Sequence, residues 1–213
     1  VMASAAEFSR KKTVGREVSP SQVVDLLLRD QIYYQSSGGG ITLSGGEPLS
    51  QPEFLEEILR GSKENDLHTC VDTSGYGDSR DIERIIPLTD LFLYDIKLAD
   101  PDVHKECTGV PNRKIINNLN AINSSGMDVW VRIPVIPGIT DTDENVRGII
   151  ELLKTQAVAG PVYLIPYNKL GTGKQERLGL KNKISHLNVP SEEHMEELRE
   201  QFVNHGFHVY IGG

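Results

Sequence analysis

The feature of this sequence that most restricts its fold is a regular alternation of short apolar runs with longer amphipathic stretches. The apolar or β-branched runs predict six strands, at Ile41–Leu43, Thr69–Val71, Leu91–Tyr94, Val129–Ile133, Val162–Ile165 and Phe207–Ile211. The amphipathic stretches predict five helices between them, at Pro52–Lys63, Ser79–Ile86, Lys114–Ser124, Glu144–Gln156 and Glu192–His205. Strands that alternate with helices in this way are typical of an α/β fold with a parallel sheet, open or curled.

A further helix is predicted ahead of the first strand. Ser19 has the character of an N-cap, Pro20 suits the first helical position, and Gln22 completes a capping box. Apolar residues then recur at helical spacing, so we expect this helix to continue to about Tyr34.

Composition and cysteine usage exclude several classes of protein. The 213 residues carry 22 basic and 30 acidic side chains, a net charge of -8, which argues against a broad nucleic-acid-binding face. No run of 18 apolar residues predicts a membrane span. Cys70 and Cys107 are too few for a disulfide framework or for an all-cysteine zinc or iron–sulfur site, and they favour a reducing compartment. Cys70 lies within a predicted strand, where a buried structural thiol is expected.

Polar residues concentrate where the predicted strands end. The first five strands are followed by Ser44–Pro48, Asp72–Tyr76, Asp95–Lys97, Arg132 with the prolines after it, and Pro166–Asn168. Ligand sites in barrels and open α/β sheets lie at the carboxyl ends of the strands. The sequence therefore predicts that these residues surround one ligand-binding rim.

The chemistry of this rim has more than one interpretation from the residues alone. Gly45 and Gly46 form either a flexible turn or a loop whose backbone approaches a ligand, with Glu47 as an acceptor for an ammonium group. No Gly-Lys-Ser/Thr follows, so this is not a phosphate loop. Asp72 either caps the next helix or forms with Asp95 a pair of acids that needs a cation, which oxygen ligands would select as a hard ion.

The basic residues and the histidines are equally open to simple explanations. Lys97 and Arg132 are candidate partners of a ligand carboxylate, although each alone is more typical of a salt bridge. His104 follows the third strand and is a candidate for the rim. The other histidines lack metal-ligand spacing and are expected to be structural or exposed: His68, His186, His194, His205 and His208.

Several of these segments, in their order along the chain, resemble the radical S-adenosylmethionine (SAM) activating enzymes of glycyl radical enzymes, the family that includes the activators of pyruvate formate-lyase. The likeness is carried by Ser37–Leu49, His68–Tyr76, Asp90–Lys97, Val131–Gly138 and Leu164–Asn168. It implies a partial (βα)6, TIM-like barrel that binds SAM beside a [4Fe-4S] cluster. It also implies an oxidoreductase whose 5′-deoxyadenosyl radical takes a hydrogen atom from a glycine of a partner enzyme, with flavodoxin or ferredoxin as electron donor, in the cytoplasm of an anaerobic or facultative organism.

The resemblance also implies roles for individual residues. Gly45, Gly46 and Glu47 would hold the methionine amino group, Asp95 and Lys97 would contact the cofactor, and Arg132 would neutralise acids near it. The positions that match the family's monovalent-cation site are Asp72, Thr73, Leu93 (through its backbone) and Asp95. The remaining cofactor-binding candidates are Ser74 and Asn168, the latter where the family often has histidine.

Two features of the family have no counterpart in the sequence. The CxxxCxxC loop that holds the cluster and the strand that precedes it are both missing. Residues 1–18 are similar to the tail of a ferredoxin-like insert, and residues 19–213 to the barrel core, so we interpret the chain as a C-terminal fragment of a longer activator. We expect this fragment to contain no catalytic residue, to bind SAM weakly, and to dimerise through an exposed sheet edge.

The alternative hypothesis is a non-catalytic module that keeps the rim only for binding. A third hypothesis, an α/β-barrel lyase with a divalent metal, is weaker because no set of ligands is complete. Among activators, the ferredoxin-like tail favours those of dehydratases, decarboxylases or amine lyases.

Overall fold

The computed structural model describes residues 16–168 and 187–212. Within them, six strands form one parallel sheet in which spatial order equals chain order. The strands are β1 (Gly40–Leu43), β2 (His68–Thr73), β3 (Leu91–Asp95), β4 (Asp128–Val135), β5 (Val162–Pro166) and β6 (Val209–Ile211). In the described residues β1 pairs only with β2, and β6 only with β5, so the sheet does not close. The predicted α/β fold with a parallel sheet is confirmed, although β6 begins two residues later than the sequence predicts.

Eight α-helices accompany the strands in the described residues. They are α1 (Pro20–Leu27), α2 (Gln31–Ser37), α3 (Pro52–Lys63), α4 (Ser79–Ile85), α5 (Pro101–Thr108), α6 (Arg113–Ser124), α7 (Asp143–Thr155) and α8 (Glu192–Val203). None of them is both long enough and apolar enough to cross a membrane.

The first helix starts as predicted but is interrupted. The Gln22 backbone N–H donates to Ser19 Oγ at 3.2 Å, and the Ser19 N–H donates to Gln22 Oε1 at 2.9 Å, which is the expected capping box. A 3₁₀ turn at Leu28–Asp30 then separates α1 from α2, so the prediction of one uninterrupted helix to Tyr34 is wrong. Helix α5 was not predicted, because eight residues with Asp100 as N-cap give little helical periodicity.

The core lies between one face of the sheet and the helices. In β4 the alternate residues Val129, Val131, Ile133 and Val135 are buried, and the helices contribute apolar side chains such as those of α6 and α7 to the same cluster. The intervening side chains of β4 point to the opposite face of the sheet, which we call the open face. On that face Trp130 and Tyr163 stack with ring centroids 5.3 Å apart, and Tyr163 and Tyr210 with centroids 5.1 Å apart. This aromatic stack connects β4, β5 and β6.

The predicted division of the chain at residue 18 stays a prediction. Residues 1–15 lie outside the described residues, and residues 16–18 precede α1 without regular secondary structure.

Candidate functional site

The loop after β1 is held to the end of β2 by a single carboxylate. Glu47 Oε1 accepts a hydrogen bond from the Leu49 N–H at 3.1 Å, which caps the 3₁₀ turn Pro48–Ser50. The same carboxylate accepts hydrogen bonds from Thr73 Oγ1 at 2.5 Å, from the Ser74 N–H at 2.9 Å and from the Ser74 hydroxyl. Four donors therefore occupy the acceptor positions of Glu47. Its observed contacts are to the protein itself, and its predicted contact with a ligand amino group stays a prediction.

The two glycines of this loop face open space. A Cβ built on Gly45 or Gly46 would meet no atom within 4 Å. Gly45 has a φ of 141°, a backbone conformation that L residues rarely adopt, whereas Gly46 carries no such restriction. The loop thus presents bare backbone to the space beside it, and a side chain at Gly46 would project into that open space.

Arg132 joins the carboxylates that end two neighbouring strands. Its Nε and Nη2 donate to Asp95 Oδ1 at 3.0 and 2.8 Å, and its Nη1 donates to Asp72 Oδ2 at 3.1 Å, with a further contact from Nη2 to Asp72 Oδ1. The three side chains are only 21–25% exposed, so their attraction is less screened than that of a surface pair. Burial disfavours the charged guanidinium, but Asp95 and Asp72 outweigh it, and the pKa of Arg132 lies above its usual value. The two acids expected to need a cation are thus neighbours, and the cation between them is Arg132.

A cleft of about 340 Å³ lies over these groups at the carboxyl ends of β1 to β4. Lys97 Nζ lies 3.2 Å from Asp95 Oδ2, and Ser44 Oγ donates to Asp72 Oδ2 at 3.0 Å. The lining residues are Ser44, Gly45, Gly46, Glu47, Asp72, Thr73, Ser74, Asp95, Lys97 and Arg132. Three carboxylates and two cations give this rim cleft a formal charge of minus one.

This donor set fits SAM. The amino-acid end of that molecule carries an ammonium and a carboxylate, and its sulfonium makes the whole molecule a monocation that complements the charge of the cleft. The open backbone at Gly46 leaves room for a ligand, and Lys97 offers a cationic group to a carboxylate, whereas Arg132 is bound to Asp72 and Asp95. The rim therefore has the charge and the open surface that a zwitterionic, sulfonium-bearing ligand requires.

The described residues do not fit an iron–sulfur cluster. Cys70 is 5% exposed in β2, and burial raises the pKa of its thiol, which disfavours the thiolate that iron would need. Cys107 is exposed on α5, a separate element. Within residues 16–168 and 187–212, no group of three His, Cys, Asp or Glu side chains could hold a metal ion. This part of the chain therefore offers a cluster no complete set of ligands.

The other predicted site residues have different surroundings. Leu93 pairs with Asp72 in the sheet register, but the Asp72 carboxylate contacts Arg132, so the monovalent-cation site stays a prediction. Asn168 lies exposed after β5 and is not among the described residues that line the rim cleft. His104 is not a rim residue: it is 3% exposed, with Nδ1 2.7 Å from the carbonyl oxygen of Val110.

Three buried asparagines were missed by the sequence interpretation. Asn112, Asn118 and Asn145 are 2–7% exposed, and each donates hydrogen bonds to carbonyl groups of the loops that form the rim. A signal for two of them is present in the sequence, since Asn118 and Asn145 occupy core-facing positions of amphipathic helices beside Leu119 and Val146.

A family model, curated relatives and a solved structure all match this chain, and they indicate the same family. The family model of the radical SAM superfamily matches residues 4–153. The chain is 38% identical over 206 residues to the trans-4-hydroxy-L-proline dehydratase activating enzyme of Clostridioides difficile, covering 95% of this chain and 68% of that protein. It is 39% identical over 186 residues to the pyruvate formate-lyase-activating enzyme of Clostridium pasteurianum, covering 87% and 78% respectively. A solved domain of pyruvate-formate lyase-activating enzyme from Bacteroides vulgatus superposes with a TM-score of 0.70 and 28% identity, covering 82% of this chain and 99% of that one.

Proposed function

Because this chain belongs to the radical SAM superfamily and is homologous to activating enzymes of glycyl radical enzymes, we propose that it is the SAM-binding part of such an activating enzyme. The observation that carries the proposal is the rim cleft, in which Arg132 bridges Asp72 and Asp95 beside the open backbone of Gly46. Among the described residues, the ends of neighbouring strands bring these groups together.

We assign the residues of the cleft as follows. The backbone of Gly45 and Gly46 receives the amino group of SAM, and Lys97 receives its carboxylate. Lys97 is held 3.2 Å from Asp95, an exchangeable ion pair that keeps the ammonium at the cleft until a ligand carboxylate replaces the aspartate. Arg132 fixes the Asp72 and Asp95 carboxylates in place, so that binding does not require them to reorganise.

In the complete activator, SAM supplies the 5′-deoxyadenosyl radical that removes a hydrogen atom from a glycine of the partner enzyme. The partner in this proposal is a glycyl radical enzyme, the electron donor is a flavodoxin or ferredoxin, and the cluster is held by cysteines other than Cys70 and Cys107. Oxygen-sensitive clusters of this kind agree with the cytoplasm of an anaerobic or facultative organism. The monovalent-cation site at Asp72, Thr73, Leu93 and Asp95 belongs to the same proposal.

The binding step is tested by titrating the chain with SAM in two-dimensional ¹H–¹⁵N NMR. We expect weak, saturable shifts centred on the amides of Gly45, Gly46 and Lys97. Gly46→Ala adds a methyl group at a residue that lines the cleft, without a clash in the free protein, so it should fold normally and bind at least about tenfold more weakly. Unchanged rim amides at saturating SAM would overturn the assignment of the cleft.

The activity is tested on the product of the whole reading frame, including any codons upstream of Val1. If a CxxxCxxC motif precedes Val1, the anaerobically reconstituted product should give a glycyl radical signal in electron paramagnetic resonance with its partner. Candidate partners are a pyruvate formate-lyase and a dehydratase, the classes named for the relatives. If no cluster cysteines precede Val1, the catalytic proposal fails, and SAM binding alone would support the non-catalytic binding module.

A further inference from the structure

Buried asparagine side chains donate hydrogen bonds to the backbone of two loops of the rim. The loop after β3, which carries Lys97, is contacted by Asn112 and Asn145, and the loop after β2, which carries Ser74, is contacted by Asn118. Asn118 Nδ2 donates to the carbonyl oxygens of Gly75 and Gly77 at 2.8 and 3.0 Å. None of these asparagines lines the rim cleft in the described part of the chain. Each can therefore influence a ligand only through the loop it holds.

Asn145 makes the most complete set of these contacts. Its Nδ2 donates to the carbonyl oxygens of Lys97 at 3.1 Å and of Thr140 at 2.7 Å, and its Oδ1 accepts from the Ala99 N–H at 2.8 Å. Both donors and one acceptor position of the amide are thus used by backbone groups. Thr140 belongs to the loop after β4, so one side chain on α7 joins the loops that follow β3 and β4.

Asn112 holds the same loop from a second helix. It lies at the start of α6 and is 3% exposed, and its Nδ2 donates to the carbonyl oxygens of Leu98 and Ala99 at 2.9 and 2.8 Å. The backbone from Lys97 to Ala99 therefore has three carbonyls and one N–H bound by two buried amides. These bonds define the path of the chain directly after Lys97.

From this geometry we propose that Asn145 is a positioning residue for ligand binding: it sets the place of the Lys97 ammonium by fixing the backbone of Lys97 and Ala99 against the loop after β4. The inference rests on the proposed function for the identity of the ligand, SAM. Lys97 has a long and flexible side chain, so the position of its Nζ at the cleft depends on where its backbone is anchored. Aspartate at 145 cannot replace asparagine, because a carboxylate oxygen would face two carbonyl oxygens in a buried place.

The test measures SAM affinity by NMR titration in Asn145→Ala, Lys97→Ala and the double variant. We expect Asn145→Ala to bind about tenfold more weakly than the wild type. If Asn145 acts through Lys97, the fold-increase in the dissociation constant of the double variant should be smaller than the product of the fold-increases in the two single variants. The reason is that Asn145 has no ammonium left to position once Lys97 is removed. Wild-type affinity in Asn145→Ala, or losses that multiply, would overturn the proposal.

Asn123→Ala is the matched control. Asn123 lies near the other end of α6 and its Nδ2 donates to the carbonyl oxygens of Gln156 and Ala157 at 2.7 and 3.4 Å, away from the rim. The Asn123→Ala substitution removes the same type of hydrogen bond from amide to carbonyl, so it should lower the stability of the protein while leaving SAM affinity unchanged. A parallel loss of affinity in Asn123→Ala would mean that the effect at Asn145 is general destabilisation.

Hydrogen exchange provides a readout that does not depend on the ligand. The Ala99 amide should exchange faster in Asn145→Ala than in the wild type, and at the wild-type rate in Asn123→Ala. An unchanged Ala99 amide would refute the positioning of the loop even if SAM does not bind. If the wild type does not bind SAM but the Ala99 amide exchanges faster in Asn145→Ala, the result counts against the proposed function and not against the positioning of the loop. If Asn145→Ala does not fold, Asn112→Ala loosens the same loop and is subjected to the same measurements.

Discussion

At the scale of single residues, the rim depends on side chains whose polar atoms are already bound within the protein. Glu47 accepts four hydrogen bonds and Arg132 spans two aspartates. Such groups shape the cleft by fixing each other, and this preorganisation leaves the backbone of Gly45 and Gly46 and the Lys97 ammonium as the more adaptable surfaces.

The two neighbouring glycines should respond differently to substitution. Gly45→Ala forces an L residue to a φ of 141° and is expected to lower the free energy of unfolding by about 1–3 kcal/mol. The Cβ added by Gly46→Ala meets no atom within 4 Å, so this substitution should change the free energy of unfolding by less than about 0.5 kcal/mol. Urea denaturation of both variants measures the contrast, and equal destabilisation would contradict the assigned backbone conformation.

At the scale of elements, the end of the sheet opposite the rim is joined by Asp90, directly before β3. Its Oδ1 lies 2.7 Å from Lys63 Nζ at the end of α3, and its Oδ2 accepts from the Thr69 N–H and hydroxyl in β2 at 2.8 and 3.0 Å. Burial opposes the charge of this carboxylate, but the hydrogen bonds from Lys63 and Thr69 outweigh it and leave the pKa of Asp90 below its usual value. One side chain thus connects a helix with two strands.

Asp90 should therefore give a pH-dependent contribution to stability. A lowered folded-state pKa stabilises the protein above the unfolded pKa, and this contribution is lost as the pH falls through the folded value. Asp90→Asn is expected to cost about 1 kcal/mol at pH 7, with the difference from wild type narrowing below about pH 4. Urea denaturation at pH 7 and pH 3 checks this, and Glu57→Gln, an exposed position on α3, is the control that should show no such change. A constant difference at both pH values would contradict the ion pair.

At the scale of the whole molecule, the sheet has one face that packs against helices and an open face, both within the described residues. Its edge strand β1 pairs with β2 on one side, and among the described residues no strand pairs with the other side. Backbone N–H and C=O groups on such an edge can bond to a strand of another molecule. The open face carries the rim cleft at one end and the aromatic stack of Trp130, Tyr163 and Tyr210 beside it.

We expect the chain to form a concentration-dependent dimer through β1. Thr42 is the exposed residue of this strand, and Thr42→Pro removes a backbone donor from it. Sedimentation velocity over a wide concentration range should show association in the wild type that is weaker in Thr42→Pro. A monomer at all concentrations would refute this use of the edge, without bearing on the ligand site.

The sequence by itself determined the α/β class, the parallel sheet and four of the five strand ends predicted around the rim; the residues after β5 are not among the described residues that line the cleft. Period-two and helical apolar patterns are local, and parallel strands must all direct their carboxyl ends to the same edge. The short helix α5 and the 3₁₀ turn before α2 were not predicted, because their residue patterns are too short to distinguish from those of loops. The family resemblance added the candidate ligand, which periodicity could not supply.

Only the tertiary structure decided how the polar residues are paired. The contacts of Arg132 with Asp72 and Asp95, of Glu47 with Thr73, and of Asn145 with Ala99 join residues 26 to 60 positions apart in the chain. A buried polar group must find a partner, but the sequence does not state which of many partners the packing brings within 3 Å. His104 illustrates the same limit, because a helix too short to be predicted buried it against the Val110 carbonyl.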